Sequence, residues 1–329
     1  MKRFSVSAVA VPAVLAAMAG GQAVAQISAG AYPSKPVVII VSQAAGGPND
    51  VEARLYATHM SEIIGQKFLV DHKPGAGTLL GTTFVAKARP DGYTLLAVTA
   101  GFTIFPALYK DLSFDVIKDF APISLMSKKA QVIAVRPSFP ANNFDEYIAY
   151  AKDNPGKINF GHTGAGGAAH LIGAWAHSAT KTKVTFIAYK GTPPIVLDML
   201  AGRTDATAML LFVAMPQVRS GKLRVLAITD DKRSRLLPDV PTVAERGVPG
   251  YNFVTWMGFS APAGTPPAAV SKLGAGFIKV AKLPEVIAAL EADGSEVVGS
   301  GPAQFGQLIA NEVDRWRKVV QEAGIKLEE

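Results

Sequence analysis

The feature that most constrains this chain is a regular alternation of short β-branched runs with segments of helical periodicity. Val37–Val41 is a continuous β-branched strand, and residues 49–64 then place Val51, Leu55, Ala57, Met60, Ile63 and Ile64 at helical spacing. Residues 68–70 and 94–98 read as further strands. The pairing recurs as 157–160 with a helix over 168–178, and as 184–187 with a helix over 194–200, followed by strands at 207–212 and 224–228. Such βαβα order predicts an α/β protein whose sheets are mostly parallel and flanked by helices. Strands that are apolar throughout, rather than alternating, suit sheets covered on both faces. The strongest apolar run, 206–215, predicts a buried strand. No segment after the first 25 residues reaches eighteen consecutive apolar residues, so nothing downstream is expected to span a membrane.

A length of 329 residues predicts two domains. Two extended stretches, 123–135 and 251–262, are the candidate connections. If both cross, the first lobe is discontinuous, made of residues 26–127 and 258–329, and residues 128–257 form the second. A C-terminal helix over 304–323, with Phe305, Leu308, Ile309, Val313, Trp316 and Val320 on one face, then packs back on the first lobe. The expectation is a two-lobed clamp with a hinge of two crossings.

The first 25 residues follow a different logic. Lys2 and Arg3 form a positive end, residues 4–20 are apolar and rich in Ala and Val, and Ala23-Val24-Ala25 is a small-x-small site. This order predicts an export signal cleaved after Ala25. A retained membrane anchor fits less well, because Ser5, Ser7 and Pro12 interrupt the apolar stretch. The chain has no cysteine, which excludes disulfides, thiolate chemistry and a lipid-anchored form. The expected mature protein is free in the periplasm, not embedded in the membrane, and monomeric.

Net charge is +7, and loss of Lys2 and Arg3 lowers it to +5. No Lys/Arg run is long enough to suggest nucleic acid; the densest group, Lys232, Arg233 and Arg235, directly follows Asp230 and Asp231.

Two strand-to-helix junctions are unusually rich in glycine. The first is Gln43-Ala44-Ala45-Gly46-Gly47-Pro48-Asn49-Asp50, and the second is Thr163-Gly164-Ala165-Gly166-Gly167-Ala168. Glycine lets backbone approach a ligand closely. Pro48 suits a first helical position, and the free N–H groups that open a helix favour an anion. In α/β folds these loops lie at the C-terminal ends of strands, where ligands bind. Neither loop carries a Walker pattern or a proper G-x-G-x-x-G, so no nucleotide cofactor is expected. A third glycine-rich segment, Lys73-Pro74-Gly75-Ala76-Gly77-Thr78, also precedes a helix and reads as structural.

Catalytic patterns are scarce. There is no G-x-S-x-G and no H-E-x-x-H. His170 and His177 share a helix face without a third ligand beside them, so no metal site is expected. Asp50 reads as a structural acid in a first helical turn. The best nucleophile–base pair an enzyme could draw on is Ser42 with His162 or His170. A secreted α/β hydrolase-like enzyme acting on a carboxylic acid or ester is therefore the rival reading.

Over essentially its whole mature length the chain resembles the Bug-type solute receptors of tripartite tricarboxylate transporters. The blocks that carry the resemblance are Tyr32-Pro33-Ser34-Lys35-Pro36, Gly46 to Asp50 with Ala53-Arg54, Lys73 to Gly77, Pro90-Asp91-Gly92-Tyr93-Thr94-Leu95, and Gly164-Ala165-Gly166 with His170-Leu171. Further blocks are Tyr189-Lys190-Gly191, Asp198 to Gly202, Gly221 to Ala227, Leu237 to Thr242 and Ala261 to Pro266. The resemblance implies a two-lobed periplasmic-binding-protein fold of type II that closes over a carboxylate and delivers it to membrane permease subunits. It places the ligand on Gln43, Ala45, Gly46, Gly47, Pro48 and Asn49 in one lobe and on Thr163, Gly164, Ala165, Gly166, Gly167 and Ala168 in the other. Thr99, Gly101 and Phe102, with Tyr189, Lys190 and Gly191, would line the remainder.

The sequence departs from the family pattern in three places. Ser42 and Gln43 stand where a proline and an aromatic are usual, Thr78 replaces a glycine, and Met209, Leu210 and Leu211 are apolar where an acid is common. Without that acid an amino group would lack a partner, so the resemblance implies a mono- or dicarboxylate. A receptor that signals to a membrane sensor would look the same in sequence.

Overall fold

The computed structural model describes residues 32–325 apart from Ala165 and Asp293. The leader and its cleavage site after Ala25, and Ala165 of the second glycine-rich loop, lie outside the described residues.

The chain opens with parallel βαβ units. Strand β1 (Val37–Val41) is buried almost throughout. It pairs in parallel with β2 (Phe68–His72) on one side and β3 (Thr94–Thr99) on the other. Helix α1 (Pro48–Ile64) makes the first crossover. It begins with Pro48 behind the extended Gly47 and ends at Gly65, whose φ of 74° lets its N–H cap the Ser61 carbonyl. Helix α2 (Leu79–Ala86) makes the second crossover, and β3 runs directly into α3 (Gly101–Leu108).

The next strand, β4 (Phe120–Val135), is sixteen residues long and belongs to two sheets. Its first part pairs antiparallel with β9 (Val254–Pro262), which also pairs with β3, and with the short β10 (Ser295–Val297). From Gln131 onward it pairs antiparallel with β7 (Ala206–Leu210), and from Val132 with β8 (Arg224–Ile228). Strand β5 (Asn159–His162) lies parallel between β7 and β6 (Thr185–Ala188). The hydrogen-bonded path is β2-β1-β3-β9-β4-β7-β5-β6. The parallel pairs are those of the βαβ units. The strands running between the sheets pair antiparallel, because one leaves where the other returns.

Helices α4 (Phe144–Asp153), α5 (Ala168–Ala179), α6 (Thr192–Leu200) and α7 (Leu211–Arg219) belong to the second sheet, and α8 (Pro267–Val280) and α9 (Pro284–Ala292) to the first. The apolar run 206–215 is not one strand. It turns at Leu210 from β7 into α7. A continuously apolar run has no period, so it cannot distinguish a buried strand from a buried helix.

The last helix, α10 (Pro302–Glu322), does more than pack on the first sheet. Phe305, Ile309 and Val313 join the cluster of Val98, Phe102, Phe120 and Trp256, whereas Trp316, Val319 and Val320 join the cluster of Phe139, Tyr147, Phe160 and Leu171 around the second sheet. One helix thus ties both sheets together. Its approach to β9 requires Gly258: a Cβ there would lie 2.5 Å from the Phe305 ring and 2.7 Å from the Ser124 carbonyl oxygen. Lys129 of β4 and Glu52 of α1 form a buried ion pair at 3.2 Å, to which the Ser127 hydroxyl adds a hydrogen bond. Breaking such a pair leaves a buried charge, so it fixes the crossing strand against α1.

The second core has a built-in sensitivity to acid. His177 of α5 is buried between the Tyr147 hydroxyl at 3.0 Å and the Thr182 hydroxyl at 2.7 Å. Burial lowers its pKa to about 4. An unfolded histidine takes a proton near 6.5, so between pH 6.5 and 4 the unfolded chain binds the proton and the folded chain refuses it. The stabilisation is complete above pH 6.5 and declines as pH falls, by about 3 kcal/mol at pH 4 from this one residue. Urea unfolding across that range should show the decline, and His177→Gln should make it shallower; an unchanged slope in the variant would exclude His177 as a source of it.

Candidate ligand-binding site

The ends of β1, β3 and β5 each deliver the chain into the start of a helix on the same side of the sheets. Four helix N-termini converge there, from α1, α2, α3 and α5, on a cavity of about 320 Å³. Asn49 comes from α1, Gly77 and Thr78 from the turn before α2, and Thr99, Ala100 and Gly101 from the β3–α3 junction. Gly166, Gly167 and Ala168 come from the start of α5. The walls are Ile104, Phe105 and Leu108 of α3 and Tyr109 just after it, with Phe253 and Thr255 from the chain returning through β9.

Among the described residues no charged side chain lines this cavity. Its polarity comes from hydroxyls, the Asn49 amide and helix-opening backbone. Helix α5 makes its first intrahelical bond from the Leu171 N–H to the Gly167 carbonyl at 2.9 Å, so the N–H groups of Ala168 and Ala169 have no acceptor inside the helix. Such groups, with the positive end of the helix dipole, attract anions. The α3 wall and Phe253 are apolar. The arrangement suits an organic anion with a hydrocarbon portion.

Of the eighteen residues expected to hold ligand, the structure brings Asn49, Thr99, Gly101, Gly166, Gly167 and Ala168 to the cavity wall. Gln43 and Phe102 sit just behind it, with Ser42, Thr82 and the shared Thr78 and Thr99, around a chamber of about 10 Å³, a size that accommodates one water molecule. There Ser42 Oγ and Gln43 Oε1 are buried and make no hydrogen bond to the described residues. Ala45, Gly46, Gly47, Pro48, Thr163 and Gly164 belong to the two loops but lie outside the cavity lining. Tyr189, Lys190 and Gly191 also lie outside it; the Tyr189 hydroxyl is engaged with Asp198 at 2.9 Å and Thr204 at 2.5 Å.

Sequence reasoning missed the α3 wall and Phe253 with Thr255. The segment 75–78 was visible as a glycine-rich turn but read as structural. It adopts left-handed backbone at Ala76, Gly77 and Thr78, which aims Thr78 at the cavity.

Asp50 and the histidines serve the loops. Burial opposes ionisation of Asp50, but the Gly46 amide, His72 and Arg54 outweigh it and hold the carboxyl below the usual range. The Gly164 amide donates to His162 Nδ1 at 3.2 Å, and the Gly166 amide donates to His170 Nδ1 at 3.1 Å. Among the described residues Ser42 Oγ has no hydrogen-bond partner, and so no base in reach. Among the described residues no three His, Cys, Asp or Glu side chains cluster as a metal site, and no helix is long and apolar enough to cross a membrane.

Residues 52–325 match the family model described as "Tripartite tricarboxylate transporter family receptor". The chain is similar to the solved periplasmic binding protein BugD, at 35% identity and a TM-score of 0.74, covering 90% of this chain and 100% of that one. It is similar to an R. palustris protein solved with adipate, at 31% identity and a TM-score of 0.76 with the same coverage. MatC from Rhodopseudomonas palustris with bound malate matches at 31% identity and a TM-score of 0.73, covering 88% of this chain and all of MatC.

Proposed function

The chain belongs to the tripartite tricarboxylate transporter receptor family, a family of periplasmic solute-binding proteins and not of enzymes, and on that premise we propose that it captures a small organic mono- or dicarboxylate for uptake by a transporter of that type. One observation carries this reading. Four helix N-termini face a cavity with a largely apolar wall and, among the described residues, no charged side chain. An anion placed there meets uncompensated amide donors, and a hydrocarbon segment meets Ile104, Phe105, Leu108 and Phe253.

The related proteins solved with adipate and malate carry dicarboxylates, which supports the same ligand class here. An amino group would find no acid among the described lining residues, and Met209 and Leu211 are buried and apolar, which favours acids without one. Loop residues outside the cavity wall, from Gly46 to Pro48 and from Thr163 to Gly164, join the site by closure. The moving bodies are residues 26–127 with 258–329 and residues 128–257, except that α10 from Trp316 onward packs into the core of the second; the hinge lies where β4 runs between the sheets and the chain returns into β9. Export follows cleavage after Ala25, and the closed form docks on membrane permease subunits as a monomer.

Thermal shift against C4–C10 dicarboxylates, aromatic acids and amino acids tests the ligand class. At a thousand-fold excess over Kd a bound acid stabilises the fold by about 4 kcal/mol, a clear rise in the melting midpoint. Silence from every carboxylate beside a response to an unrelated class would refute the proposal. Recovery of the bound acid chemically unaltered is the expected outcome; an altered product would favour the hydrolase reading.

A further inference from the structure

The two glycine-rich loops are built on one plan but held by different acceptors. In each, a glycine with left-handed φ, Gly46 at +80° or Gly166 at +72°, precedes an extended glycine at the helix N-cap, Gly47 or Gly167. In each, the side chain four residues on accepts that first glycine's N–H. The acceptor is Asp50 Oδ2 at 2.8 Å in the first loop and His170 Nδ1 at 3.1 Å in the second. The second loop has a further acceptor, His162 Nδ1, which takes the Gly164 N–H. The two imidazoles stack with centroids 4.6 Å apart, and Phe186 of β6 stands edge-on to both.

A carboxylate has acceptor oxygens to spare. An imidazole that accepts at Nδ1 must carry its proton on Nε2 and remain neutral, since the imidazolium has donors only. We propose that His162 and His170 are positioning residues for carboxylate binding: as neutral, stacked Nε2–H imidazoles they hold the Gly164 and Gly166 amides and so aim the opening amides of α5 into the cavity. The proposal rests on the ligand class inferred above. His162 is the titratable group that acts on His170; β6 presents Phe186, which carries no charge, and Tyr189 just after it donates its N–H to the His162 carbonyl at 2.8 Å. Burial first, and then the neighbouring His162, lower the His170 pKa to about 4, so the neutral form persists through the mildly acid range.

The test separates the ring from its acceptor atom. Asn in place of His170 puts an oxygen near the Nδ1 position and has no ring; Phe keeps a ring and has no acceptor. Calorimetric titration of adipate and malate at pH 7.5 should give His170→Asn an affinity within about three-fold of the parent, whereas His170→Phe should lose about ten-fold, the scale of one hydrogen bond. Lowering the pH to 4 should weaken the parent about two-fold more than His170→Asn, because half of His170 is then protonated and each acid's own titration is common to both proteins. Rescue by Phe and failure by Asn would overturn the proposal, leaving the ring as mere packing. In parallel, ¹⁵N spectra of the ligand-free protein should show both imidazoles protonated at Nε2 only, with slowed exchange of the Gly166 amide that His170→Phe abolishes. An Nδ1–H tautomer in either ring would refute the proposal even if neither acid binds, an outcome that would count against the ligand class alone.

Discussion

Gly101→Leu should reduce carboxylate binding at least a hundred-fold while leaving the ligand-free protein as stable as the parent. Gly101 is the first residue of α3 and lines the cavity. A Cβ added there meets nothing nearer than the Thr99 hydroxyl at 4.0 Å, so the fold tolerates a side chain. Replacing a helical glycine even favours the helix, by up to about 0.8 kcal/mol. The leucine must then extend into a cavity of about 320 Å³ that the acid is expected to fill. Binding and stability should separate: calorimetry shows the loss of affinity, and the melting midpoint without ligand holds or rises. Retained affinity for the acid that binds the parent would place the ligand elsewhere.

Trp316→Ala should cost the fold about 3–5 kcal/mol, the range for removing a buried aromatic. Trp316 is 1% exposed and stands edge-on to Trp175 at 5.8 Å and Phe253 at 5.2 Å. Its Nε1–H donates to Glu312 Oε2 at 2.9 Å. Burial raises the Glu312 pKa, against the pull of Arg315 and Trp316, so loss of the indole also leaves a buried acid short of a donor. The effect reaches the site, because Phe253 both packs on Trp316 and walls the cavity. Urea unfolding should show the destabilisation, with weakened acid binding beside it. Trp316→Phe should cost less than the alanine, since it retains one aromatic ring and loses the donor and the remainder of the indole. A loss below about 1 kcal/mol would show that α10 does not tie the two sheets together.

Much of the fold was legible because β-branched runs and helical spacing are local. Val37–Val41 and the β8 strand Arg224–Ile228 read correctly to the residue. The C-terminal helix read to within two residues, and its apolar face was visible in Phe305, Ile309, Val313 and Trp316. That this face serves two cores was not visible, because a helical stripe names its buried residues and not their partners. The turn at Leu210 was hidden by an apolar run with no period. At the site, glycine spacing located the openings of α1 and α5. The α3 wall and Phe253 were invisible because apolar side chains at a cavity wall look like any core residue in sequence. The acceptor roles of Asp50 and His170 needed the helix geometry, which alone brings a side chain back to a glycine four residues earlier.

The central claim is that an organic acid sits on the converging helix N-termini between α1, α2, α3 and α5. A crystal structure grown with the acid that gives the largest thermal shift tests it most directly. The expected result is a carboxylate within hydrogen-bond distance of the Ala168 and Ala169 amides, with its hydrocarbon portion against Ile104, Phe105 and Phe253. An acid bound outside this cavity, or one whose carboxylate is held by a lysine or arginine while those amides face solvent, would contradict the account.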